Sequence, residues 1–234
     1  MSSETLMERY GPKTLSDMMF ANTAAQADVN SFASGSINSD LILWGVNGTG
    51  KSTIARFIAE QRDGLIETIP ASTISANVNA AVRRLEQLTN WAPFAGNTGN
   101  GTIIYEEMEA NGTSLAPFWL AVDQLPSYMM VIFTTNQVMN IHKSVRSRCH
   151  TLEIKSLSAA QFLPLAQHIF ASEGYGQVTA EQILAQLQAV EQFGDNRAYY
   201  KRIELLLARM PTGWTVSAAT PKPAPALQVV RNVP

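Results

Sequence analysis

A chain of 234 residues that is 46% hydrophobic and 15% charged can bury a real core, as one large domain or two small ones. Its net charge of -2 lacks the basic surplus of a protein that grips nucleic acid alone, so DNA contact would need a local patch, helix N-termini or several subunits together. No apolar run is long enough to span a membrane, no secretory signal is visible at the N-terminus, and the single cysteine, Cys149, excludes an internal disulfide and fits a cytoplasmic protein.

In chain order, the segment Glu8–Leu15 leads to a helix predicted over Ala21–Phe32. Leu41–Trp44 reads as a short buried strand. The next eight residues, Gly45-Val46-Asn47-Gly48-Thr49-Gly50-Lys51-Ser52, fit the phosphate-binding pattern Gly-x-x-x-x-Gly-Lys-[Ser/Thr]. A helix follows over Ser52–Gln61, with Ile54, Phe57 and Ile58 on one face. A strand, a glycine loop and a helix N-terminus make an anion site, because loop N–H groups and the positive end of the helix dipole converge there. Lys51 adds a full charge, and the Ser52 hydroxyl suits Mg²⁺. The flanking elements make a chance glycine turn the poorer explanation.

Further on, Leu65–Ile69 alternates like a strand, and Val78–Leu88 reads as a helix with Val78, Val82, Leu85 and Leu88 on one face. A turn cluster at Asn97–Gly101 opens into the strand Thr102–Tyr105, which ends in Glu106 and Glu107. A helix over Leu115–Gln124 precedes the apolar strand Met129–Thr134, then Asn136, and Thr151–Ile154 reads as a last strand. Strands alternating with helices predict a parallel α/β sheet. From Ser158 the pattern is helical only. Ser158–Gln161 and Thr179–Gln182 fit capping boxes, and a third helix is predicted over Asn196–Met210. The expected organisation is an α/β nucleotide-binding domain over 1–156, a helical lid over 157–211 and a Pro/Ala-rich, flexible tail over 212–234. The three histidines, His142, His150 and His168, show no metal-ligand spacing.

Two adjacent acids at a strand end suit a nucleotidase, which needs one carboxylate for the Mg²⁺ shell and another to orient the attacking water. In isolation, a solvated Glu pair in a turn would explain Glu106 and Glu107 as well. Asn136 follows the next strand, where strand C-termini line the ligand crevice of a parallel sheet. Its amide suits a place between γ-phosphate and water, and a turn-starting Asn is the plainer alternative.

The succession of phosphate loop, Ile103-Ile104-Tyr105-Glu106-Glu107, Thr134-Thr135-Asn136 and Ser147-Arg148-Cys149 resembles the AAA+ clamp-loader ATPases, in particular replication factor C small subunits and their phage and bacterial relatives. The segment around Tyr10 and Pro12 is similar to that family's N-terminal Tyr-x-Pro segment near adenine. Ile69–Ser72 with Val82-Arg83-Arg84 resembles its DNA-facing region, and Gly194-Asp195-Asn196-Arg197 its Gly-Asp-x-Arg motif. The resemblance covers about residues 8–210.

It implies an AAA+ fold with ATP and Mg²⁺ as cofactors and Gly45–Ser52, Thr53, Tyr10, Pro12 and Arg197 around the nucleotide. Ser52 and Glu106 would take Mg²⁺, directly or through water. Glu107 would be the catalytic carboxylate, Asn136 and Arg197 sensors, and Arg148 an arginine finger acting on a neighbouring subunit, with Arg146 close enough to compete for that role. The implied partners are an oligomeric AAA+ assembly, a sliding clamp and primer–template DNA, with no membrane. Arg83 and Arg84 are the candidate DNA contacts, against the alternative of a solvated helix face. Compact size suggests a phage or mobile-element version, acting in the host cytoplasm if phage-encoded.

Two departures stand out. Glu106 occupies the usual Asp position, and a Pro-rich tail stands where the family carries a collar domain. They leave open another AAA+ DNA-processing ATPase (a branch-migration motor, helicase loader or transposition regulator) or a non-hydrolysing ATP-binding adaptor.

Overall fold

The computed structural model describes residues 4–108, 115–141, 143–212 and 215–216. The helices are α1 (Leu6–Tyr10), α2 (Thr23–Ala33), α3 (Lys51–Arg62), α4 (Ser72–Ala76), α5 (Val78–Trp91), α6 (Ala116–Asp123), α7 (Lys143–Arg146), α8 (Ala159–Ser172), α9 (Ala180–Glu191) and α10 (Asn196–Arg209). The strands are β1 (Leu41–Trp44), β2 (Leu65–Pro70), β3 (Gly101–Glu106), β4 (Met129–Thr135) and β5 (His150–Glu153). Two compact units result. One holds 11–157 with 194–196; the other holds the described residues of 1–10, 158–193 and 197–234. The tail expected over 212–234 lies almost wholly outside the described residues, as does His142.

In the first unit all five strands are parallel, in the order β2-β3-β4-β1-β5. Both faces are covered, so the central strands are apolar runs with no polar side. Successive side chains still alternate between two cores. Leu41, Leu43, Ile104, Met130 and Ile132 pack with Val29 and Phe32 of α2 and Ile54 and Ile58 of α3. Ile42, Ile103, Tyr105, Val131 and Phe133 pack with Leu85 and Leu88 of α5 and Phe118 and Val122 of α6. Aromatic stacking reinforces the second core, with Tyr105 and Phe133 rings 5.6 Å apart and Phe118 edge-on to Tyr105 at 5.2 Å.

The second unit is helical apart from its loops. Ser158 with Gln161, and Thr179 with Gln182, form the reciprocal capping boxes that start α8 and α9. Phe162 on α8 packs against Tyr199 and Tyr200 on α10, with centroids 4.7 and 5.2 Å apart. The helix predicted over Asn196–Met210 is α10, ending at Arg209. No described helix is long and apolar enough to cross a membrane.

Candidate active site

Parallel pairing decides what the strands bring together. β1 lies beside β4 and β4 beside β3, all pointing the same way. The phosphate loop after β1, Asn136 after β4 and the carboxylates after β3 therefore emerge along one edge, each strand about 5 Å from the next.

The loop is held closely. Gly45, Gly48 and Gly50 have φ of 148°, 76° and 96°, so a side chain at any of them would be strained. A Cβ on Gly45 would collide with the Ile154 carbonyl, and one on Gly48 with the Asp195 carboxylate. Gly50 has the Met18 methyl 3.2 Å from its Cβ position, which places the segment after Pro12 against the loop. That segment, with Pro12 half-buried, is itself fixed by Asp17, whose Oδ2 accepts from Thr14 N–H at 2.8 Å and Lys13 N–H at 3.1 Å. Gly50 is the N-cap of α3 and offers no capping side chain, which leaves the helix's first N–H groups to an anion. Lys51 is buried, and its Nζ donates to the Gly45 and Val46 carbonyls at 2.9 and 2.8 Å. Thr49 braces the turn by donating to Val46 O at 3.1 Å. Val46 and Asn47 are exposed on the loop, and Ser52 and Thr53 follow Lys51 in the first turn of α3. This donor set suits a polyphosphate with its Mg²⁺.

Alternation along β3 separates the two acids. Ile104 packs on the face covered by α3, so Glu106, two residues on, leaves the strand on that face. Glu107 breaks the alternation, with φ of 58° in a region that residues other than glycine rarely enter. Its N–H donates to Thr134 Oγ1 at 3.2 Å, and Met108 N–H donates to Thr134 O at 2.7 Å. Glu107 and Asn136 are both exposed.

The arginines sit on other elements. Arg148 is exposed after α7, with Nε 3.3 Å from Asp123 Oδ2. Arg146 meets the Met139 sulfur at 3.1 Å. Cys149, beside Arg148, has its thiol pushed up to about 12, chiefly by burial, which fits a packing residue and not a nucleophile. Arg197 is exposed in the first turn of α10 and belongs to the helical unit. Tyr10 belongs to that unit too, where its hydroxyl donates to Glu173 Oε1 at 2.7 Å and its ring meets His168 edge-on. Arg83 is exposed on α5, whereas Arg84 is engaged with Glu67 Oε1 at 2.6 Å. Sequence reasoning missed Glu67, Asp123, Thr134 and Asp195 as partners. Only the two threonines ending an otherwise apolar strand gave a signal.

The model of the ATPase family associated with various cellular activities (AAA) matches residues 41–157. Replication-associated recombination protein A of Coxiella burnetii is 26% identical over 162 residues, 68% of this chain and 35% of that protein; the chain thus spans about a third of its relative's length. The Thermotoga maritima RuvB Holliday junction branch migration motor superposes with a TM-score of 0.66 at 13% identity, over 90% of this chain and 70% of that one. A variant of Thermotoga maritima RuvB gives 0.67 at 12% identity over the same shares. These structures establish likeness of fold. The matches support the AAA+ core of the expected resemblance, and the relatives they name are recombination and branch-migration proteins rather than clamp loaders.

Proposed function

This chain belongs to the AAA family of ATPases, and we propose that it hydrolyses ATP and processes DNA as an oligomer, in the manner of a recombination or branch-migration ATPase. The observation that carries this reading is the convergence of the phosphate loop, Glu106–Glu107 and Asn136 on three adjacent strand ends. The names of the recombination protein and the branch-migration motor support the DNA-processing part.

Members of the family bind ATP with Mg²⁺. In this chain the loop N–H groups and Lys51 would hold the phosphates, and Ser52 and Glu106 would hold the metal, which neutralises charge on the phosphates when bound. Glu107 orients the attacking water and takes its proton, while Asn136 spans water and γ-phosphate. Arg148 completes the site of a neighbouring subunit, where its guanidinium stabilises the spreading charge. Arg197 is kept as the phosphate sensor that the Gly-Asp-x-Arg resemblance implies. Exposed Arg83 supplies phosphate contacts to DNA that add up over several subunits, while Arg84 is largely committed to Glu67.

Steady-state ATPase measured with four-way junctions, forks and primed duplex tests the reading. Stimulation by branched DNA that needs no clamp supports it; a rate indifferent to every DNA overturns it. A second reading, clamp loading, is favoured by Ser147-Arg148-Cys149 and Gly194-Asp195-Asn196-Arg197. Joint stimulation by primed DNA and a sliding clamp would select it.

A further inference from the structure

β4 runs from Met129 to Thr135 fully buried, and its first five residues are apolar. The last two are threonines, each 2% exposed. Valine has the same branched shape and suits a buried strand at least as well, so two buried hydroxyls need a reason. Each has one. Thr134 Oγ1 accepts from Glu107 N–H at 3.2 Å, and Thr135 Oγ1 accepts from Gln137 N–H at 3.2 Å. The first bond holds the turn that carries Glu107, and the second closes the turn that presents Asn136. The Glu107 turn is the one with φ of 58°, and a conformation of that kind persists only where its surroundings enforce it. The Thr134 carbonyl adds a second tie, accepting from Met108 N–H at 2.7 Å.

We propose that Thr134 and Thr135 are positioning residues for hydrolysis, Thr134 fixing the Glu107 carboxylate and Thr135 the Asn136 amide. The inference rests on the reading of Glu107 and Asn136 as the hydrolytic pair. Neither threonine needs to touch ATP. Their hydroxyls act through the backbone, setting where two side chains stand over the phosphate loop, and a displacement of about 1 Å at such a site is enough to cost up to about a hundredfold in rate.

The test uses the full chain with its stimulating DNA and measures kcat, KM and the Kd of a fluorescent ATP analogue. Thr134→Val is expected to lower kcat about tenfold or more while KM and Kd stay within about twofold, and Thr134→Ser to restore most of the rate. In a Glu107→Gln background, Thr134→Val should cost nothing further, because the group it positions is already disabled. Thr135→Val set against Asn136→Ala should behave the same way. Should Thr134→Val fail to fold in a thermal melt, Thr134→Ala is carried through the same comparison. A full-rate Thr134→Val beside an inactive Glu107→Gln overturns the positioning role alone, as does a loss that appears equally in both backgrounds. An undiminished rate for Glu107→Gln overturns the site reading and this inference with it.

Discussion

The strand-end candidates and the candidate arginine are built in opposite ways. Glu107 and Asn136 project from turns tied to a strand with no exposed residue. Arg148 stands about half exposed, held by one ion pair to a partly exposed Asp123. A group that acts on its own subunit's nucleotide gains from being fixed in advance. A group meant for a neighbour must stay at the surface, and a surface ion pair of this kind contributes little by itself. On the proposed reading, the contrast teaches where assembly would enter the chemistry: the interior prepares one half, and a second subunit would bring the other.

Arg148→Ala should break that contrast most sharply, lowering assembled turnover about 10³-fold or more while nucleotide affinity is kept. Mixing Arg148→Ala with Lys51→Ala subunits should restore activity, because each supplies what the other lacks. Failure to complement would place Arg148 outside the neighbour's site. Glu107→Gln should remove about 10²–10⁴-fold of kcat with binding intact and no rescue by mixing in Lys51→Ala subunits, whose own phosphate loops are disabled.

Asp40 gives a smaller effect from the same sheet. Burial raises its carboxyl to about 6, the Val131 N–H bond opposes that rise, and Asp123 adds to it. A folded value above the ordinary 3.8 means that ionisation works against the fold. The cost is absent below about pH 3.8 and complete above about pH 6, near 3 kcal/mol. Asp40→Asn keeps an acceptor for Val131 N–H, so it should raise stability at pH 7.5 by up to about that amount and leave it unchanged near pH 3.5. Urea melts at the two pH values decide this.

Gly48→Ala should destabilise by about 1–3 kcal/mol and weaken ATP binding, through positive φ and collision with Asp195. Calorimetry beside nucleotide titration reads both. Arg84→Ala should cost at most about 1 kcal/mol, because its partner Glu67 stays accessible to water. A salt titration of DNA binding then ranks it below Arg83→Ala.

Much of this was legible in the sequence because it is local. The loop, the Glu pair, Asn136 and both capping boxes are fixed by a few adjacent residues, and the alternation of element types foretold a parallel sheet. Strand order was not legible, since apolar runs such as Ile103–Tyr105 and Val131–Phe133 carry no label for their neighbours. Short α4 and α7 were missed because four or five residues give no helical period. Arg84 read as a candidate DNA contact because Glu67 meets it only once α5 lies over β2. Glu107's left-handed turn has no sequence signature at all, since a glycine would have announced it and a glutamate stands there instead.

Gly48 is not one of the glycines that define the phosphate loop, yet the space its side chain would need belongs to a carboxylate from near the other end of the chain. The two positions therefore compete for one space. A genetic screen for suppressors of a side chain at 48 should return changes at 195 before any in the loop, and only partial ones, since freeing the space leaves the strain of a positive φ.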